Sequence, residues 1–112
     1  MANAFKTFTA QNIDTSSTGK ATLYTCPSST ETTIIGLNIA NILTVSITVT
    51  VELLDGGSTI THVVKDAIVP VGSSLVAVGG DQKIVMNATD VLKVYGSQAN
   101  CCDAVLSVLE IT

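Results

Sequence analysis

The chain has 112 residues, 46% of them hydrophobic and 12% charged, a balance that excludes intrinsic disorder and leaves room for one domain rather than two. All five cations are lysines, and nine acidic residues bring the net charge to -4, so the chain lacks the cationic stripe needed to bind nucleic acid or an anionic membrane. Val, Ile and Thr supply more than a third of the residues, and their branched side chains favour pleated sheet.

The first third of the sequence predicts three strands. Residues Ala4–Ile13 alternate weakly between apolar and polar, and the polar loop Asp14–Gly19 follows them. Lys20–Cys26 predicts a second strand, which Pro27 ends because proline has no backbone N–H to donate. Thr32–Ala40 predicts a third strand, which leads through a short apolar turn into the next one.

The clearest strand is Thr44–Leu53, in which apolar and polar residues alternate over its whole length. We expect the apolar parity to meet a core and the polar parity to meet water or a polar neighbour. The polar parity consists of Thr44, Ser46, Thr48, Thr50 and Glu52. Asp55-Gly56-Gly57 then provides a tight reversal and Thr59–Lys65 resumes an extended pattern, so this segment predicts a β-hairpin.

The remaining segments predict short strands separated by turns. They are Ser73–Val78, Lys83–Met86, Val91–Tyr95 and Asp103–Ile111. The last is the most continuously apolar, so we expect it to be central and covered on both faces. Eight or nine short strands at this spacing predict an all-β fold, an antiparallel β-sandwich with a jelly roll as one candidate form. Residues 1–112 form one such domain in this interpretation, with residues 1–9 as a candidate extended arm.

Catalytic, cofactor and metal sites are not predicted. His62, the only histidine, lies within a strand pattern with no Cys or acidic residue at metal-ligand spacing and no nucleophile motif. Asp55, Asp66, Asp81 and Asp90 fall at apparent strand ends, where aspartate caps its own turn. We therefore expect a protein that is not an enzyme, and His62 would be the residue to test if it were.

The cysteines are Cys26, Cys101 and Cys102. An odd number with two adjacent residues is not a disulfide framework, and an adjacent pair cannot bind a tetrahedral metal as two cysteines separated by a short loop can. A single disulfide between Cys26 and one of the adjacent pair stays open, because a sequence alone does not fix the distance between them. The amino-terminal residues show no apolar stretch behind a positive charge, which predicts synthesis and folding in a cytosol.

Few lysines are available to discourage pairing along the edges of so many strands. Threonine and serine occupy positions where many proteins place charged residues. This pattern predicts a chain whose outer surfaces meet copies of itself or a larger partner. The alternative, that a weakly charged β domain has such a surface without any partner, stays open at this point.

Five stretches, each combining turn and strand residues, carry a family resemblance. They are Met1–Lys6, Val69–Leu75, Gly79–Val85, Asp90–Val94 and Ser107–Thr112. Together they resemble small virion structural proteins of tailed bacteriophages, notably those infecting cyanobacteria and other aquatic bacteria. The cysteines are a departure from that pattern.

The resemblance implies a virion protein, assembled in the host cytoplasm, that binds the major capsid protein or other virion proteins and copies of itself. Its first candidate role is capsid decoration, in which many copies cement the shell through modest contacts multiplied by copy number. The neck, tail or baseplate is an alternative location.

The candidate contact surface combines the amino-terminal arm with the polar side of the hairpin. Its residues are Phe5, Phe8, Thr44, Ser46, Thr48 and Thr50. A receptor- or carbohydrate-binding module is a second class of function, for which the aromatic side chains that could stack on a sugar are Phe5, Phe8, Tyr24 and Tyr95.

Overall fold

Nine β-strands make up the fold in a computed structural model that describes residues 3–17, 20–56, 58–79 and 81–112. The described residues form no helix, and so none that is long and apolar enough to cross a membrane. The strands are β1 (Asn3–Ile13), β2 (Ala21–Thr25), β3 (Glu31–Asn41), β4 (Ile47–Asp55), β5 (Thr59–Val69), β6 (Ser74–Val78), β7 (Ile84–Met86), β8 (Val91–Gly96) and β9 (Cys102–Ile111).

The strands form two sheets whose neighbouring strands are all antiparallel. Sheet A has the order β1-β9-β3-β6, with β7 also paired to β3, and sheet B has the order β2-β8-β4-β5. Consecutive strands thus cross repeatedly between the two sheets, which is the connectivity of a jelly roll. The predicted all-β antiparallel sandwich is confirmed, and its form is the jelly roll.

The core lies between the two sheets and is filled by the inward parity of each strand. On β3 the inward set shifts from Ile34 to Leu37, because the pairing with β9 slips by one residue between Ile34 and Gly36. The side chains with the deepest burial are aliphatic; they include Ile34, Leu37, Ile39, Val49, Val51, Leu92, Val94, Leu106 and Val108.

β4 begins three residues later than predicted, at Ile47 instead of Thr44. The Asn41 side chain organises the intervening loop: its Nδ2 donates to the carbonyls of Val45 and Val69, and its Oδ1 accepts from the Leu43 N–H. The alternating pattern cannot reveal this, because a loop held by one buried amide carries no periodicity of its own. The hairpin to β5 is confirmed, with Gly56 at a φ of 61° in the turn.

β9 is central in sheet A, as predicted, but it is not covered on both faces. Its residues alternate between buried and partly exposed, and Val105 is 46% exposed on the outer side. The prediction of two covered faces is wrong because no third layer lies outside sheet A among the described residues. Apolar side chains on both parities of a strand therefore do not guarantee burial on both.

The amino-terminal segment is part of the sheet. Residues 3–9 belong to β1 and pair with β9 in continuous register, so the described part of the predicted extended arm lies along the edge of sheet A. Met1 and Ala2 lie outside the described residues. The weak alternation over Ala4–Ile13 corresponds to the edge strand β1.

We predict that Gly96→Ala destabilises the fold, because an added Cβ would collide with the buried Sγ of Cys101. The expected loss in the free energy of unfolding is about 1–3 kcal/mol, as for other overpacked cores. Gly36→Ala is the matched control, since its Cβ would meet only the Val78 carbonyl oxygen at 3.7 Å. Urea denaturation of both variants makes the comparison, and equal stabilities would contradict the packing argument. Cys101→Ala in the Gly96→Ala background should restore part of the loss.

Candidate assembly surface

The outer face of sheet A carries most of the large apolar side chains that remain exposed on strands. Phe5 on β1 is 77% exposed, Val76 on β6 is 64% exposed and Val85 on β7 is 59% exposed. Val105 on the central strand β9 joins them. Exposed apolar groups clustered on one face are typical of a contact surface.

Two cross-strand rows organise this outer face, since residues opposite each other in antiparallel strands project from the same side. The first row is Phe5, Leu109, Thr33 and Val85. The second row is Thr9, Val105, Asn38 and Val76. Each row spans sheet A from one edge to the other and contains no charged residue.

Sheet A has two edges, and their strands carry almost no charge. β1 contains a single charged residue, Lys6, and β6 and β7 contain none. The Lys6 ammonium lies 2.9 Å from Oε1 of Glu110 on the core side of the sheet, so its charge is balanced within the chain. Edge strands with so little charge are poorly protected against pairing with another chain.

A buried polar network anchors β1 to the sandwich. Tyr24 reaches across from β2 in sheet B, where its hydroxyl lies 2.5 Å from Oε2 of Glu110 and 2.8 Å from the Thr32 hydroxyl. Glu110 also forms the ion pair with the Lys6 ammonium. The centroid of the Phe8 ring lies 4.7 Å from that of the Tyr24 ring. Lys6 and Phe8 thus hold the core side of β1 while its outer edge stays open.

The electrostatics of this network favour an ionised Glu110. The hydrogen bond from Tyr24 and that from Lys6 lower the pKa of Glu110, since both stabilise the carboxylate. Burial, and then the bond to Glu110, raise the pKa of Tyr24 well above its usual value, so the phenol keeps its proton and donates it. The pair is a fixed structural contact.

Sheet B differs from sheet A in charge. On its outer face Glu52 is buried, with Oε1 2.9 Å from the Lys20 ammonium and Oε2 3.4 Å from Nε2 of His62. Its edge strand β5 carries His62, Lys65 and Asp66, and its pairing with β4 slips twice, next to Val51. Charges and bulges of this kind discourage edge pairing.

The six predicted contact residues do not form one continuous surface. Phe5 is on the outer face of sheet A, whereas Phe8 points inward against Tyr24. Thr44 and Ser46 are exposed in the loop before β4, and Thr48 is half-buried.

The prediction that Thr50 is exposed to water or a partner is wrong. Its side chain is buried, with 1% exposed, and its hydroxyl forms hydrogen bonds with Asp66. The polar parity of β4 does face away from the core, but Asp66 and His62 of β5 contact Thr50 and Glu52 on that side. A contact of these residues with a partner stays a prediction.

Sequence reasoning missed Val76, Val85, Val105 and Leu109 as surface residues. Each lies in a strand that is apolar on both parities, such as Ser74–Val78, so nothing in the pattern distinguishes the outer parity from the inner one. Only the register with β3 and β9 assigns these residues to the outer face.

All three cysteines are buried free thiols. The Cys26 thiol lies 3.3 Å from the Thr32 hydroxyl near one end of β3, and Cys102 pairs with Asn41 at the other end. A strand rises about 3.3 Å per residue, which separates these sites by about 30 Å. A disulfide requires Cα atoms about 4.4–6.8 Å apart, so Cys26 does not pair with Cys102 or its neighbour Cys101 in this fold.

Other kinds of site find little support in the described part of the chain. No group of three or more His, Cys, Asp or Glu side chains there could hold a metal ion. One open cleft is lined by residues that include Ser29, Glu31 and Asn87, and a second lies beside Gln11 and Asp103. His62 lines neither cleft.

Comparison with known proteins finds a solved structure with a similar fold. No protein-family model and no curated protein matches the sequence. A solved structure of Bacillus endospore appendages, described as a novel family of disulfide-linked pili, is similar to this chain with a TM-score of 0.59 and 18% identity. The similarity covers 99% of this chain and 88% of the pilus chain. At that identity the similarity establishes the shared fold.

We predict that Glu110→Gln weakens the fold near neutral pH by about 1–3 kcal/mol, since a carboxylate with charge-assisted partners is lost. The pKa of Glu110 is lowered by folding, so its stabilising effect is complete above the unfolded pKa of about 4.3 and disappears as the pH falls through the lowered value. Urea denaturation between neutral and strongly acidic pH measures this. The difference between wild type and Glu110→Gln should shrink on acidification, with Glu31→Gln as an exposed control; a constant difference would contradict the network.

We also predict that the folded protein does not react with a thiol reagent such as dithiobis-nitrobenzoate. All three thiols are buried, and burial together with Cys101 raises the pKa of Cys102, which removes the reactive thiolate. Phe5→Cys is the matched positive control because position 5 is exposed. All cysteines should react in denaturant. Rapid labelling of the folded wild type would show that the thiols are accessible.

Proposed function

We propose that this chain is a structural subunit that assembles with copies of itself into a fibre or surface appendage, and that it catalyses no reaction. The observation that carries the proposal is the outer face of sheet A, which exposes Phe5, Val76, Val85 and Val105, has no charged residue in either row and ends at two edge strands with little charge. The fold shared with a chain from disulfide-linked pili supports it.

Electrostatics favour sheet A as the contact region. The chain carries a net charge of -4, so two copies repel each other wherever acidic residues face acidic residues. On the outer face of sheet A the acids Glu31 and Asp103 lie at opposite ends, outside the two uncharged rows. Copies can therefore approach along this sheet without placing like charges together.

In such an assembly Cys26, Cys101 and Cys102 would form no disulfide bonds between copies, so the contacts that these residues leave are noncovalent. The similar pili are described as disulfide-linked, but these three thiols lie inside the folded subunit. Linking two copies through them requires the sandwich to open. Burial of apolar side chains and pairing of open strand edges supply the contact energy instead.

Capsid decoration in a tailed phage is a second candidate. It rests on the sequence resemblance, and the similar pilus structure does not support a phage origin. The same uncharged face would then meet the major capsid protein or another virion protein. The neck, tail or baseplate and receptor or carbohydrate binding rest on no separate structural observation.

We predict that the purified chain forms assemblies whose size grows with protein concentration and persists in excess dithiothreitol. Light scattering after size-exclusion chromatography, followed by negative-stain electron microscopy, measures both properties. Fibres or open chains that survive reduction support the proposal. A monodisperse monomer at every concentration would contradict it, and assemblies that dissociate on reduction would contradict the noncovalent contacts.

A further inference from the structure

The most exposed apolar side chains on sheet A lie on its two opposite edges and in the same two rows. Phe5 on β1 begins the row that Val85 on β7 ends. Thr9 on β1 begins the row that Val76 on β6 ends. Each row therefore stops at an exposed valine on one edge, and a second copy added at that edge would continue it.

Strand directions allow the two edges to join. β1 runs antiparallel to β9, β9 antiparallel to β3, and β3 antiparallel to both β6 and β7. β1 therefore runs opposite to β6 and β7 within one subunit. A copy placed beside the first in the same orientation, with the usual sheet twist, presents its β1 antiparallel to β6 and β7, so the pattern of sheet A continues unbroken.

The spacing along the strands also matches. Phe5 and Thr9 are four residues apart on β1, as Leu109 and Val105 are on β9. Their counterparts on β3, Thr33 and Asn38, are five residues apart because β3 slips by one residue after Ile34, and they pair with Val85 and Val76 at the other edge. One register of the joint therefore brings Phe5 beside Val85 and Thr9 beside Val76 together. That register buries the most exposed aromatic ring of the sheet against a valine.

The edges of sheet B offer no comparable joint. β2 is five residues long, slips in register between Thr22 and Tyr24, and exposes no large apolar side chain. β5 exposes Ile60 and Ile68 but carries charges and two slips in register between them. β6 and β7 are short as well, β6 slips against β3 between Val76 and Val78, and β1 slips against β9 after Ala10. They differ from β5 in that β6 and β7 are uncharged and lie in tandem along residues 32–34 and 37–40 of β3.

We infer that β1 of one copy pairs antiparallel with the β6 and β7 edge of the next copy, with Phe5 beside Val85. This inference rests on the proposed self-assembly and specifies its contact. Two different edges meet at the joint, so each added copy leaves the same pair of edges free at the ends. Repetition yields an open fibre whose sheet A is continuous along its length.

Mixed disulfide crosslinking tests the joint. One preparation carries Phe5→Cys and another carries Val85→Cys, both at exposed positions that the fold does not need. The two are mixed, allowed to assemble and oxidised with glutathione disulfide, which accepts the electrons of the two thiols. The wild-type cysteines are buried and serve as the blank. We expect covalent dimers that contain one copy of each variant.

The matched control replaces Val85→Cys by Ile60→Cys, which places an exposed thiol on the edge strand of sheet B. Heterodimers of Phe5→Cys with Val85→Cys should exceed those with Ile60→Cys by about tenfold or more, a ratio that corresponds to about 1.4 kcal/mol. Equal yields, or Phe5→Cys dimers with themselves, would overturn this pairing of edges.

A second pair of variants separates the joint from assembly itself. Thr7→Lys places a charge on β1 and Thr61→Lys places one on β5; both threonines are exposed. Thr7→Lys should raise the protein concentration needed for assembly by about tenfold, and Thr61→Lys should leave it unchanged. If wild type assembles but neither the crosslink nor Thr7→Lys behaves as expected, the joint is wrong and self-assembly stands. If wild type does not assemble, both are wrong.

Discussion

An open β-sandwich leaves unpaired backbone N–H and C=O groups along its edges. Whether another chain can pair with an edge strand depends on the charges, bulges and length of that strand, and the candidate assembly surface of sheet A depends on these features. Sheet B protects its edges with a short β2 and with the charges and bulges of β5. Sheet A ends at β1 on one side and at β6 and β7 on the other. Lys6 is the only charged residue within these three strands, and Asp81 and Lys83 lie in the loop between β6 and β7. The two sheets are thus chemically unequal, although they share one core.

The anchoring of β1 explains how an open edge can coexist with a stable subunit. Lys6 and Phe8 bind the core side of the strand through Glu110 and Tyr24, and this leaves the outer side chains such as Phe5 free. These contacts hold the strand in place within the subunit, and a preformed edge loses less conformational entropy on pairing than a disordered arm would. The three thiols are buried within the subunit.

The sequence predicts the fold well where alternation is regular. The hairpin of β4 and β5 and the central position of β9 follow from residue patterns, but the start of β4 depends on the amide of Asn41, which has no periodic signature. The surface is harder to predict. Phe5, a predicted contact residue, is exposed, whereas Val76 and Val85 are assigned to the surface only by their register with β3. Thr50 shows the reverse error, since its outward parity is covered by side chains from other strands.

The most direct test is whether the two edges of sheet A, β1 on one side and β6 and β7 on the other, pair with each other between copies. Hydrogen–deuterium exchange, measured by mass spectrometry below and above the concentration at which copies associate, makes this test. The backbone amides of β1 and of β6 and β7 should become protected together, while those of β5 keep their exchange rates. Protection confined to β5, or unchanged exchange along β1 in the associated form, would contradict the account.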